Sequence, residues 1–277
     1  MLGGPILGLG RMHRIFSGGV RRRILEAALD TGIAAFDVAP CYGEGMAERE
    51  LGHFLQGRRS QCLVFTKFGI PFAPIGDLPS PVFFFLRALG AITRLPVGAN
   101  YRIRDFSLPA LRKSVTASLR RLRTSYIDCL FIHEPLVFPD SKELADIMTA
   151  LDLLVKEGLI RRYGVTLGPD HVRQEASVTS LPSRLVVMAP VCDAVIEWCK
   201  HPALANRIVA YDLVTYLASN NGGVPTPEEV VAFCRTSLPG ASPIVASRHA
   251  ARVASYGRAF SDNKKALPTQ EPHAHGF

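Results

Sequence analysis

Four side chains of the kinds that exchange protons stand at the ends of apolar runs in this chain. Asp37 closes "AAFD", Lys67 closes "LVFTK" (63–67), and His133 follows "IDCLFI" (127–132). Tyr42 lies just beyond Asp37, in the small loop "CYGEG" bounded by Gly43 and Gly45. Carboxylate, ammonium, imidazole and phenol are the side chains most used for general acid–base work. An isolated carboxylate is costly to bury, so Asp37 at the end of an apolar strand calls for a partner. Taken singly, each residue has an ordinary explanation: a strand-end lysine is usually solvated, and a lone histidine usually packs and hydrogen-bonds. Their joint placement argues for chemistry.

The elements that carry them recur along the chain. Strands are expected at 5–9, 34–38, 63–67, 127–132, 161–166, 184–189, 207–211 and 243–247. Helices are expected near 20–31, 46–56, 108–123, 141–157, 170–178, 193–203, 226–236 and 248–260. In the third of these, Leu111, Val115, Leu119 and Leu122 recur at a helical period. Ser141 and Thr226 are candidate caps, and Pro227 suits a first helical position. Strands that are apolar throughout, each followed by a helix, indicate a parallel sheet covered by helices. A doubly wound sheet competes, but eight β/α units in 277 residues favour a single-domain α/β fold, the closed (β/α)8 TIM barrel, over residues 1–260. Functional side chains in that fold lie at the C-terminal ends of strands, which would bring Asp37, Tyr42, Lys67 and His133 to one rim.

Composition narrows the class. Apolar residues make up 48% and charged residues 20%, enough for a large core and against global disorder. The net charge of +8 is compatible with anionic ligands. Arg21, Arg22 and Arg23, and Arg112, Arg120, Arg121 and Arg123, fall on expected helices and read as solvated faces. No nucleic-acid-binding motif accompanies them, so no nucleic-acid partner is expected. The six cysteines form no CxxC pair, and no metal site is expected; they read as small hydrophobes in a reducing cytoplasm. With "PILGLG" near the start no secretory leader is expected, and no apolar run is long enough to span a bilayer.

Together, "LGLGRM" (7–12), "FDVAPCYGEGMAERELG" (36–52), "VFTKFG" (64–69), "SLRRLRTSYIDCLFIHEP" (118–135), "VKEGLIRRYGVT" (155–166) and "IVAY" (208–211) resemble the aldo-keto reductase family. The resemblance covers most of residues 5–260 and implies the same (β/α)8 barrel. It also implies an NAD(P)-dependent oxidoreductase that interconverts a carbonyl and an alcohol, with Asp37, Tyr42, Lys67 and His133 as the catalytic set. Physical chemistry supports those roles. A phenol is a poor acid or base near neutrality, and an adjacent ammonium lowers its pKa. Lys67 is expected to do this for Tyr42, with Asp37 holding the ammonium; His133 would donate to the substrate oxygen.

On the cofactor side the resemblance implies Gly10, Arg11, Thr166, Met188, Tyr211, Ser247, Arg248 and Arg252. Tyr211 matches the aromatic that stacks on the nicotinamide, and Ser247 and Arg248 match the phosphate grip. Several positions depart from the family pattern. Arg11 replaces a small hydroxyl residue, Thr166-Leu167 replaces Ser-Asn, Met188 replaces Gln, and Ser255-Tyr256 replaces Glu-Asn. Arg248 and Arg252 favour NADP(H) slightly over NAD(H). The altered carboxamide contacts leave open a non-redox lyase or isomerase with weakened cofactor binding. A non-catalytic binding subunit is a third reading, and the intact quartet argues against it.

Two regions fall outside the resemblance. Residues 70–106 form a long excursion after the third strand, expected to be functional at that length. Its Phe83, Phe84 and Phe85 would give the catalytic rim an apolar wall, hence an apolar substrate, or else pack on the barrel or join an oligomer. The polar tail 261–277 is expected to be disordered.

Overall fold

The computed structural model describes residues 4–93, 102–135, 141–173, 182–204 and 206–265. Eight strands run parallel: β1 (Ile6–Gly8), β2 (Ala35–Asp37), β3 (Leu63–Phe68), β4 (Ile127–His133), β5 (Ile160–Thr166), β6 (Val186–Pro190), β7 (Ile208–Tyr211) and β8 (Ser242–Val245). Each pairs with the next and β8 returns to β1, so the sheet closes. Ile6 makes the closure, in register with Ala35 on one side and Ile244 on the other. The barrel is therefore closed, and the doubly wound alternative is excluded.

The helices are α1 (Gly18–Asp30), α2 (Met46–Leu55), α3 (Ser80–Thr93), α4 (Leu108–Leu122), α5 (Ser141–Lys156), α6 (Pro169–Arg173), α7 (Asp193–Lys200), α8 (Leu213–Asn221), α9 (Pro227–Ser237) and α10 (Ala250–Lys265). Local chemistry sets several of their starts. The Ser17 hydroxyl accepts from Val20 N at α1, and that of Ser107 accepts from Ala110 N at α4. Thr226 and Glu229 form a reciprocal capping box at α9, with Pro227 in the first turn. α5 begins at Ser141 itself, whose side chain lies outside the described residues.

Two apolar layers result. Ile6, Phe65, Cys129, Phe131, Val186, Met188 and Val209 fill the barrel interior. A larger layer, including Leu25, Phe36, Leu51, Val64, Leu111, Leu130 and Val253, lies between strands and helices. Gly164 on β5 is required by this packing, because a Cβ there would stand 2.3 Å from the Val186 carbonyl and 2.8 Å from the Phe131 ring. No helix among the described residues is long and apolar enough to cross a membrane.

Four expectations need correction. The excursion after β3 is not all loop: it holds a 3-10 turn at Ile75–Asp77 and the helix α3, while residues 94–101 lie outside the described residues. An unexpected helix, α8, follows β7. α10 continues to Lys265, so residues 261–265 are helical, and the rest of the tail lies outside the described residues. Finally, Arg21 and Arg121 are not on solvated faces. Arg21 is buried and bonds Glu50, Ser80 and the carbonyls of Ile15 and Phe16. Arg121 is buried against Glu48, whose other oxygen accepts from Thr66.

Candidate active site

β2, β3 and β4 end side by side and deliver Asp37, Lys67 and His133 to one rim, as the strand-end pattern predicts. All three are buried. Lys67 Nζ donates to Asp37 Oδ1 at 2.6 Å and to the Val38 carbonyl at 3.1 Å. The ammonium thus supplies the partner that a carboxylate at this depth needs. Burial raises the Asp37 carboxyl above its ordinary range, and the Lys67 charge and hydrogen bond pull against that rise.

Tyr42 reaches the same place from the β2–α2 loop. Gly43, Glu44 and Gly45 all take positive φ there, at 62°, 51° and 100°, turning the chain tightly enough to fold the phenol over the barrel mouth. Lys67 Nζ lies 4.9 Å from the centre of the Tyr42 ring. The His133 ring stands edge-on to the same phenol, centroids 6.2 Å apart. Cys41 Sγ lies 3.8 Å from His133 Nδ1.

The electrostatics overturn one expectation. The Tyr42 phenol is pushed well above its usual range, by burial first and then by the acidic groups around it, Asp37, Cys41, Glu134 and Asp212. Lys67 faces the ring, and the expected lowering of the phenol pKa does not appear. His133 is pushed well below 6.5 by burial, with Lys67 and Arg104 adding to the effect. Near neutrality the site therefore holds a protonated phenol and a neutral imidazole.

These groups head a cleft of about 340 Å³ that runs from Tyr42, Lys67 and His133 to Ser247 and Arg248. Gly10, Arg11, Thr166, Met188 and Tyr211 also line it. Arg252 does not. Its guanidinium is bound to the Pro225 carbonyl and the Tyr256 hydroxyl, in the packing of α10. Thr166 Oγ1 faces Met188 Sδ at 3.5 Å, and the Tyr211 hydroxyl donates to the Leu167 carbonyl at 2.8 Å.

Glu134 and Asp212 line the cleft as well and were not expected there. Each directly follows an expected site residue, His133 or Tyr211, and each takes a positive φ that turns the chain over the rim. Adjacency was the signal that could have found them.

Phe83, Phe84 and Phe85 do not line the cleft. Phe83 is buried, Phe84 stacks on Phe16 at 4.9 Å, and Phe85 faces solvent. Among the described residues, no group of three or more His, Cys, Asp and Glu could hold a metal ion.

A barrel with a Tyr, Lys, Asp and His set at the mouth, above a cleft bordered by arginines, defines a class that the comparisons make explicit. The model of the aldo/keto reductase family matches residues 7–232, and the chain belongs to that family. A D-threo-aldose 1-dehydrogenase from a Pseudomonas species is 32% identical over 167 residues, covering 59% of this chain and 49% of the relative. An NADH-specific methylglyoxal reductase from Escherichia coli is 33% identical over 153 residues, covering 54% and 42%. The matched stretch thus spans about half the length of these relatives. Among solved structures, an aldo-keto reductase from Bacillus halodurans superposes with a TM-score of 0.69 at 18% identity, covering 96% of this chain and 88% of the other. One from Klebsiella pneumoniae in complex with NADPH gives 0.61 at 20%, covering 94% and 86%. At such identities the structures speak for the fold.

Proposed function

We propose that the chain interconverts a small carbonyl and its alcohol with a nicotinamide cofactor, and that Tyr42 gives or takes the proton. The observation that carries this reading is the buried Lys67–Asp37 pair set against the face of Tyr42, with His133 edge-on to the same ring. The names of the sugar dehydrogenase and methylglyoxal reductase relatives support the same chemistry.

The residues of the cleft fit the cofactor at one end better than at the other. Arg11, Ser247 and Arg248 offer two guanidinium groups and a hydroxyl for phosphates, and Tyr211 offers an aromatic face. Gly10 lines the cleft beside Tyr42, where an added Cβ would meet the ring at an ordinary contact distance of 3.6 Å. When bound, the nicotinamide supplies or accepts the hydride. The protein's part is the proton and the charge: the protonated Tyr42 faces a developing alkoxide as donor, and neutral His133 can donate a second hydrogen bond to the same oxygen. Lys67 keeps positive charge beneath the phenol, and Asp37 holds the ammonium in place. NADP(H) over NAD(H) rests on Arg248 alone, because Arg252 is occupied elsewhere.

With the three phenylalanines outside the cleft, nothing supports an apolar substrate wall. A reducing, cytoplasmic setting belongs to the same proposal, supported by six cysteines that form no CxxC pair.

Tyr42→Phe tests the proposal. Turnover of a good carbonyl substrate should fall by ~10²–10⁴-fold, with NADPH affinity by fluorescence titration unchanged; a variant as fast as the parent would refute it.

One observation favours a second reading, a lyase or isomerase with weakened cofactor binding. The seat expected to hold the carboxamide is the buried Thr166–Met188 contact, and the neighbouring Leu167 carbonyl is taken by Tyr211. Calorimetry showing that neither NADPH nor NADH binds would promote this reading over the reductase.

A further inference from the structure

Cys41 has no part in the chemistry described above, yet it touches a group that does. Its Sγ lies 3.8 Å from His133 Nδ1, 92 residues away in the chain, and both side chains are buried. The loop that delivers Tyr42 makes this contact. It leaves β2, crosses the end of β3, which lies between, and meets the end of β4. Its backbone is pinned where Tyr42 N donates to the Ala39 carbonyl at 3.0 Å and Ala47 N donates to the Tyr42 carbonyl at 3.2 Å. Ala39, Cys41 and Ile70 form a small apolar cluster on which Tyr42 packs, so the thiol is held in place.

Burial keeps the His133 ring neutral, and a neutral imidazole carries its proton on one nitrogen only. Which nitrogen decides what the ring can do. With the proton on Nε2 it donates into the cleft; with the proton on Nδ1 it offers only a lone pair there. His133 lines the cleft and Cys41 does not, so with Nδ1 turned to the thiol, Nε2 faces the opening. Nε2 forms no hydrogen bond among the described residues. Nor is it one of their buried polar atoms left without a partner, which are His13 Nδ1 and Ser118 Oγ, so solvent reaches it.

We propose that Cys41 is a positioning residue: its S–H donates to His133 Nδ1 and holds the ring in the tautomer whose Nε2–H faces the substrate oxygen. The role rests on the carbonyl–alcohol reading, in which that N–H meets the developing alkoxide. The opposite arrangement, Nδ1–H donating to sulphur, is the poorer one. Sulphur is a weak acceptor, and a buried donor left with a poor partner is costly. When the thiol donates instead, the ring N–H points into the cleft, where water or substrate accepts from it. The hydrogen bond at one ring nitrogen thus sets the state of the other.

Long-range nitrogen–proton correlation spectra of protein labelled at histidine read the tautomer without cofactor or substrate. His133→Gln identifies the His133 signals among those of the eight histidines. Near neutral pH the parent should show the Nε2–H form alone. Cys41→Ala removes the donor and should populate the Nδ1–H form as well. Its kcat on a good carbonyl should fall roughly two- to tenfold, the share of one hydrogen bond, with KM little changed. The infrared S–H stretch of Cys41, isolated as parent minus Cys41→Ala, should lie below that of a thiol without an acceptor and rise in His133→Phe. A parent in the Nδ1–H form, a Cys41→Ala protein with the parent's tautomer or the parent's kcat, or a stretch indifferent to His133→Phe would overturn the proposal. If the parent reduced no carbonyl, the spectra would still decide the contact, and the reductase reading is what would fall.

Discussion

Lys67 Nζ lies 2.6 Å from Asp37 Oδ1, and both side chains are almost wholly buried. Neither could stay charged at this depth alone. Lys67→Met should leave a buried carboxylate without its partner, and removing one member of such a pair typically costs ~3–5 kcal/mol. The double variant Asp37→Asn, Lys67→Met should recover part of that loss. Urea unfolding of the three proteins measures it, and a Lys67→Met protein as stable as the parent would rule out the pairing as a structural requirement.

The directions of the two pKa shifts at the rim predict an unusually plain pH profile. His133 is held well below 6.5 and Tyr42 well above 10.0. Neither group changes protonation between those values, so kcat/KM for carbonyl reduction should show no inflection near 6.5 or near 10 that belongs to them. A step near 6.5 that disappears in His133→Gln would show that the imidazole is solvated and titrates normally.

His13 makes a different pH prediction, one about stability. Burial, helped by Arg87 and Arg14, lowers its pKa from 6.5 to about 4. Between those values the unfolded chain binds a proton that the folded chain refuses, so stability is full above 6.5 and is lost as pH falls toward 4. For a buried group the shift would amount to ~3 kcal/mol; the ring is partly exposed, and solvent screening reduces this to about 1–2 kcal/mol. Thermal melts across this range should show the loss in the parent and a shallower slope in His13→Gln. Parallel slopes would assign the acid sensitivity to other groups.

Much of this was legible in the chain, for a physical reason. Parallel strands buried on both faces read as unbroken apolar runs, so "LVFTK" and "IDCLFI" located β3 and β4 and the polar residues that end them. What escaped depends on neighbours remote in sequence. Arg21 and Arg121 look like surface charges because Glu50 and Glu48 stand 29 and 73 residues away. α3 is apolar around almost its whole circumference, so it offers no period by which to recognise a helix. The rise of the Tyr42 pKa is not legible in its loop because the largest cause is burial under the folded barrel mouth, with Asp37 next.

The Arg121–Glu48 pair, with Nε and Oε2 2.7 Å apart and Glu48 wholly buried, predicts a second stability effect at residues that do not line the cleft. Arg121→Met should destabilise the protein by ~3–5 kcal/mol, and replacing Glu48 by Gln in the same chain should return part of it. The exposed Arg112–Glu157 pair is the control. Breaking it should leave the melting temperature essentially unmoved, since solvent screens such pairs. Equal effects at the two sites would mean that burial does not set the difference.

Met188→Gln asks whether the altered carboxamide seat governs cofactor affinity, and so separates the two functional readings. Met188 is buried, lines the cleft and touches the Thr166 hydroxyl through its sulphur. A glutamine there places an amide where the resemblance expects one. Without cofactor that amide is buried with poor partners, which should lower stability by about 1–3 kcal/mol. With cofactor it gains hydrogen bonds worth ~0.5–1.5 kcal/mol net, or roughly a two- to tenfold tighter Kd for NADPH. The two effects oppose each other and are read separately, by the melting temperature without ligand and by fluorescence titration. A variant that loses stability and gains no affinity would place the nicotinamide away from Met188. If the parent also failed to bind cofactor in the same titration, the non-redox reading would take precedence.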